Sequence, residues 1–364
     1  MPSLTLSTTE VVQTPLQEAL ALGPATWDPL LALSPAASPF SGWAWHRAWI
    51  DAAAPADVAA SVALQLRAAD GSVEAVLPIA LRRMRWRRVP VSALTWAVQD
   101  AGCPDHLDVL AAPGADLDAL ARALEGLPWQ VAVFENVADA APNLDQLCAA
   151  LTRRGHSVRS SALWTCPRLA LPDTWDTYLG SLSSTRRQTV RRKERALFRD
   201  HAATLTDYAP DRVDEGWRHL MRLHDQRWNG AGAFSDPRIE RMQLAFAHEM
   251  ARHGRLWLTT LDLDGAPAAA WYGFSLHDTV YFYQSGRAPQ WEGDSVGQVL
   301  MGMMIRRAIE RGYRWFDFLR GEDAYKRHWT AAERATREVV VFRAGWRSGW
   351  VRALDWVAQR RRHA

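Results

Sequence analysis

Two stretches hold residue types whose spacing could do chemistry. The first, Gln290-Trp-Glu-Gly293-Asp-Ser295-Val296-Gly297, sets small residues in a loop between a strand-like run and a helical one. At such a passage backbone N–H groups can approach a phosphate closely and the helix N-terminus favours negative charge, so the loop predicts a pyrophosphate site. The second runs from Gly312 to Trp329, GYRWFDFLRGEDAYKRHW. Alternation along Tyr313 to Leu319 puts Tyr313, Trp315, Asp317 and Leu319 on one face of a strand. A carboxylate among aromatics is desolvated, which raises its pKa toward the range of a general base. Asp317 is therefore one candidate base; a structural ion pair, to Lys326 or to a backbone amide, is the other reading of the same residue. Glu322, on the turn beyond, is the second candidate base.

Lys326 draws notice for a compositional reason. The chain has 43 Lys and Arg, and only Lys193 and Lys326 are lysines. In an arginine-biased chain, the mark of a GC-rich bacterial coding sequence, a retained lysine suits a site that wants a compact ammonium, such as one holding a phosphate or carboxylate of a substrate. Upstream, His224 is a fallback base on a helix that ends at Arg227-Trp228 and leads into the loop NGAGAF.

The elements that must position these residues read as follows. Residues 1–25 form a polar, Pro-punctuated lead-in. Trp45, Trp49 and Ala52 share a helix face, and Ala69-Asp70-Gly71 joins two strand-like runs as a hairpin. Further apolar runs at 91–98, 106–110 and 129–134 alternate with a helical pattern at 116–124. After about residue 165 the texture changes to a strongly basic helix over Ser181 to Asp200, with helices at 212–228 and 237–253. Three strands close together then follow (255–262, 268–276, 279–285), with a loop, a helix over 295–311, a strand over 313–319 and a last strand at 337–342. This order is α/β or α+β and differs from a doubly wound sheet, in which strands and helices alternate strictly.

Gln290, Gly293 and Ser295 fall on the Q-x-x-G-x-G/A pattern, with Ser at the last place, and the segment to Trp329 resembles the signature of the CelD-like acetyltransferases of bacterial polysaccharide loci. That family is a GNAT acyltransferase family related to the Fem-type aminoacyl transferases. The resemblance implies two tandem GNAT-like domains, each a mixed, mostly antiparallel sheet flanked by helices. It sets a non-catalytic copy at 26–165, an acyl-CoA-binding copy at 166–345 and a basic amphipathic helix at 346–364. It implies acetyl-CoA or another acyl-CoA as co-substrate, bound by Gln284, Ser285, Gln290, Gly293, Ser295, Val296 and Gly297. Tyr325 would be the acid that protonates the departing thiolate. Lys326, His224, Arg227, Trp228 and Arg320 would border an amine or hydroxyl acceptor, a small molecule or saccharide of the cell envelope.

Other readings compete. Gly293-Asp-Ser295-Val-Gly297 matches G-x-S-x-G, with Asp317 and His328 in the chain order of a serine hydrolase, but a polar loop stands where a strand should enter the elbow. The basic helix reads as a solvated face or, in a Fem-like enzyme, as a contact to aminoacyl-tRNA. A GNAT-like scaffold without catalysis is the non-enzymatic reading. No His, Cys or acidic spacing suggests a metal. Three scattered cysteines, no secretory signal and no apolar run of membrane length suggest a cytoplasmic protein, with peripheral membrane contact through the C-terminal helix.

Overall fold

The computed structural model describes residues 9–345, apart from 35, 37, 209, 231, 322 and 323, together with 349 and 352. The described residues form two compact units: one runs to Trp164 and resumes at Ala335, and the other spans Thr165–Arg334. Both are mixed α/β with mostly antiparallel strands.

The first unit opens with β1 (Glu10–Pro15), α1 (Leu16–Ala21), α2 (Asp28–Leu33), α3 (Trp43–Ala52) and α4 (Pro55–Ala60). It continues with β2 (Ser61–Arg67), β3 (Val73–Trp86), β4 (Val89–Trp96), the two-residue β5 (Leu110–Ala111) and α5 (Leu117–Glu125). β6 (Val131–Ala138), α6 (Pro142–Arg153) and the start of β7 (Ser157–Ala170) follow. The polar lead-in is corrected here: β1 pairs antiparallel with β2, and α1 buries Leu16, Ala19 and Leu20. A strand this short that ends in Pro carries too little alternation to read, and Pro is tolerated at the edge of a sheet.

The second unit begins with α7 (Trp175–Ser181) and α8 (Ser184–Asp200). The basic stretch is the single helix α8, which starts at Ser184 and not at Ser181 because Ser183 accepts the Arg186 N–H at 3.4 Å as its N-cap; the separate α7 ends just before it. β8 (Ala203–Asp207), α9 (Val213–Trp228), α10 (Pro237–Arg252), β9 (Leu256–Leu263), β10 (Ala266–Leu276) and β11 (Thr279–Arg287) come next. α11 (Val296–Glu310) and β12 (Trp315–Asp317) complete it, and β13 (Glu333–Phe342) leaves it. From the sequence the strand at 337–342 falls in the second domain, yet from Thr336 to Phe342 β13 pairs with β6 of the first unit. The expected strand at 313–319 is also shorter, since Leu319 at φ +56 turns out of the extended region.

A strand-helix-strand passage recurs in both units. β4, α5 and β6 close with a parallel pairing at Ala93–Thr95, and β11, α11 and β12 close with one at Thr279–Tyr281. In the second unit the pairing stops at Tyr281↔Asp317, while β11 continues to Arg287 beside β10. The register slips between Tyr272 and Gly273 so that Tyr283 is an extra residue, a β-bulge. Gly273 allows it: a Cβ there would stand 2.1 Å from the Tyr281 carbonyl oxygen. Because β12 ends at Asp317, β11 beyond Tyr281 has no β12 partner, and a core including Trp271, Phe282, Phe316, Phe318 and Met304 supports it.

Candidate functional site

The site grows from the contact of α9 with β11. Gly286 has no side chain, and a Cβ there would lie 2.3 Å from the backbone nitrogen of His224, so only glycine lets helix and strand approach this closely. The approach brings Arg227, near the end of α9, to the freed part of β11. Its Nη1 donates to Ser285 Oγ at 2.7 Å, and its guanidinium lies 4.8 Å from the Trp228 ring centre and 5.7 Å from that of Tyr325. A cleft of about 300 Å³ opens beside it, lined by Arg227, Ser285, Arg287, Tyr325 and Trp329 and by residues 295–298 at the start of α11.

The N-terminus of α11 is suited to an anion. Ser295, its N-cap, lies in the left-handed region at φ +57 and makes no side-chain cap, while its carbonyl accepts from Gln298 and Val299. The Val296 and Gly297 amides come before the first intrahelical donor and have no helical acceptor. The first turn carries no acidic residue. The two acids of the preceding loop are held by basic partners: Glu292 by Arg287 at 2.9 Å and Asp294 by His201 at 3.5 Å. The matching helix of the first unit differs. There the Asp116 carboxylate itself caps α5 through the Ala119 N–H, and Asp118 stands in the first turn. Two carboxylates at that N-terminus oppose a phosphate; the cap and first turn of α11 carry none.

The structure gathers Arg227, Ser285, Ser295, Val296, Gly297 and Tyr325 around one cleft. Gln284, Gln290 and Gly293 do not line it. Gln290 and Gly293 are exposed, and a Cβ on Gly293 would meet nothing within 4 Å. Trp228, 41% exposed, supports the Arg227 guanidinium from outside. Glu322 lies outside the described residues.

Three expectations are corrected. Asp317 is wholly buried; its Oδ2 meets Arg334 Nη2 at 2.7 Å and its Oδ1 accepts the Leu319 N–H at 2.8 Å. It is the structural ion pair and cannot meet a substrate, although the partner is Arg334 and not Lys326. Lys326 is 4% exposed, and its Nζ donates to the carbonyl oxygens of Arg320 at 2.7 Å and Leu319 at 3.4 Å. Its ammonium closes the turn after β12, which also fixes the backbone of Arg320. His224 is 2% exposed, packs 4.8 Å from Phe234 and is held neutral, its pKa pushed down to about 4 by burial and then by Arg227. It is a core residue under the site.

The hydrolase arrangement is not assembled either. A 3₁₀ turn at Pro289–Trp291 stands between β11 and Ser295, His328 does not line the Ser295 cleft, and Asp317 is committed to Arg334. Arg287 was missed as a site residue, yet alternation from Ser285 puts it on the same side of β11, so the signal was present. Among the described residues no cluster of three His, Cys, Asp or Glu could hold a metal, and no helix is long and apolar enough to cross a membrane.

Residues 184–327 match the acetyltransferase (GNAT) domain. The match takes in α8, the Arg227 region, β11, the loop before α11 and the Tyr325 turn, so the cleft is built almost entirely within the GNAT segment. No curated protein matches the chain. Among solved structures, FemX superposes with a TM-score of 0.59 at 11% identity, over 87% of this chain and 95% of that one. A conserved protein of unknown function from Bacteroides thetaiotaomicron VPI-5482 gives 0.57 at 13% identity, over 88% and 98%. L-PGS from Bacillus licheniformis gives 0.54 at 12% identity, over 88% and 92%. At these identities the likeness is one of fold.

Proposed function

We propose that the second unit transfers an acyl group from acyl-CoA to an amine or hydroxyl acceptor. The observation that carries this reading is the uncapped N-terminus of α11, with no acid in its first turn, opening on a cleft beside the freed end of β11; Glu292, which also lines that cleft, is paired with Arg287. The Val296 and Gly297 amides and the helix dipole would take the pyrophosphate, with Arg287 close by. Beyond Tyr281 the edge of β11 away from β10 has no β12 partner, and there the strand, including Ser285, would offer backbone groups to the amides of the pantetheine. Tyr325 faces the same cleft and would hand its proton to the thiolate as the acceptor attacks the thioester directly, with no acyl-enzyme. Glu322 keeps its place as the proposed base. The resemblance to CelD-like enzymes supports a saccharide or cell-envelope precursor as acceptor. Calorimetric titration with acetyl-CoA and longer acyl-CoAs tests the proposal: saturable binding is expected, and no heat with any of them would defeat it.

A second reading rests on α8, where Arg186, Arg191, Arg192, Arg195 and Arg199 are all exposed. Such a face suits a polyanion, and in a Fem-like enzyme the donor would be aminoacyl-tRNA. A tRNA complex whose affinity falls steeply with salt, in a protein that ignores acyl-CoA, would put this reading first.

A further inference from the structure

A second cavity, of about 250 Å³, lies between α8 and α11 and is not used by the donor chemistry above. Its walls combine two chemistries. Trp175, Val190, Val299, Met303 and Trp329 make an apolar interior, and Arg186 and Lys193 of α8 stand at it as cations. Gly302 shapes the interior: a Cβ there would come within 3.0 Å of the Trp329 ring, so the glycine lets that indole lie against α11. Trp329 is fixed from behind, because Tyr178 Oη donates to its carbonyl oxygen at 2.7 Å.

Charge is the informative feature. Among the described residues no carboxylate pairs with Arg186 or Lys193. The one acid in the cavity, Glu194, faces Arg306 at 3.5 Å. Lys193 Nζ has a neutral partner, the Gln298 side-chain oxygen at 2.5 Å. Burial, with Arg192 adding to it, holds the Lys193 ammonium below its ordinary value, as befits a cation in want of an anion. Gln298 and Trp329 also line the reaction cleft, so a molecule seated here adjoins it.

We infer that this cavity is the acceptor pocket and takes a small molecule with an apolar body and one anionic group, a phosphate or carboxylate, bound by Lys193 and Arg186. The assignment as acceptor rests on the acyl-transfer reading; the ligand chemistry does not. Tryptophan fluorescence and calorimetry on the full chain test it with octyl phosphate as probe and with octanol and inorganic phosphate as controls. Octyl phosphate is expected to saturate, with each control at least about tenfold weaker. Lys193→Gln should weaken the probe by about tenfold, Lys193→Arg should largely restore it, and Thr189→Trp should block it by filling the space. Acetyl-CoA affinity should be unchanged in all three variants. The inference is overturned if octyl phosphate does not bind, if it binds the variants as well as it binds the parent, or if inorganic phosphate does as well as octyl phosphate. Loss of acetyl-CoA affinity in Lys193→Gln would also overturn it, by making the cavity part of the donor site. Normal probe behaviour in a protein that never binds acetyl-CoA would uphold the ligand chemistry and defeat the acyl-CoA reading, so the two failures are distinct.

Discussion

Replacing Asp317 with Asn separates a structural carboxylate from a catalytic base. The carboxylate is 0% exposed, whereas the Arg334 side chain keeps 21% of its surface. Around the pair Arg168 supplies a second guanidinium, 3.8 Å from the Trp315 ring centre, and Arg334 already pulls its pKa down, second to burial. Removing the anion leaves two cations facing each other with no counter-charge. Breaking a buried pair by removing one partner costs about 3–5 kcal/mol. Asn still accepts the Leu319 N–H, and Arg334 reaches some water, so about 2–4 kcal/mol is expected here. For a unit of this size that lowers Tm by roughly 6–12 °C. The assay is thermal or urea unfolding together with turnover per folded molecule, measured well below both transitions. Turnover within about threefold of the parent is expected, since a residue with no access to substrate affects only the folded fraction. An unchanged Tm with turnover lost by about 100-fold would refute the reasoning and return Asp317 to the role of base. A double Asp317→Leu, Arg334→Met variant should recover most of the stability, because a packed apolar pair replaces a buried ionic one at little cost.

Other outcomes follow from the same geometry. Tyr325→Phe should lower kcat by about 100-fold or more and leave acetyl-CoA affinity unchanged, as single-turnover kinetics beside calorimetry would reveal. Lys326→Met should cost about 1–3 kcal/mol by stripping the Arg320 and Leu319 carbonyls of their donor, with no change in KM for any acceptor. Stability should also depend on pH in a defined direction. Burial pushes both His46 and His224 from 6.5 to about 4, and each is at most 3% exposed. Both stay neutral when folded while the unfolded chain takes up protons below 6.5, so stability is complete above that pH and falls as pH drops toward 4. About 3 kcal/mol is at stake for each. Urea midpoints at pH 7.5 and 4.5 check this, and Gly232→Ala, whose Cβ would stand 1.9 Å from the His224 ring, should itself destabilise at both.

How far the sequence reveals the molecule depends on the range of the interaction that decides each feature. The loop before α11, the three antiparallel strands and the hairpin turn at Asp264-Gly265, with φ +52 and +84, are local, and they are legible. The course of β13 is not, since its partner β6 lies about 200 residues away in sequence. The site divides in the same way. Arg227 and Tyr325 were named from the sequence, but their meeting depends on Gly286 passing under α9, which no spacing rule predicts. Asp317 and Lys326 carried the right residue types for catalysis. Their roles were decided by Arg334, 17 positions on, and by two carbonyls of a turn that turns back on itself at Leu319. Lys193 sits in a strongly basic run, and only the fold brings it to Gln298 across 105 positions.

The most direct test is titration of acetyl-CoA into the parent and into Gly297→Asp. A Cβ at Gly297 meets only Arg287 Cδ, at an ordinary 3.6 Å, and an acid in the first turn of α11 favours the helix, so the variant should fold at least as well as the parent. The account predicts saturable binding by the parent and loss of at least about tenfold in affinity in the variant, as the new carboxylate meets the pyrophosphate. Equal affinity in the two proteins would show that the α11 N-terminus is not where the cofactor phosphates lie.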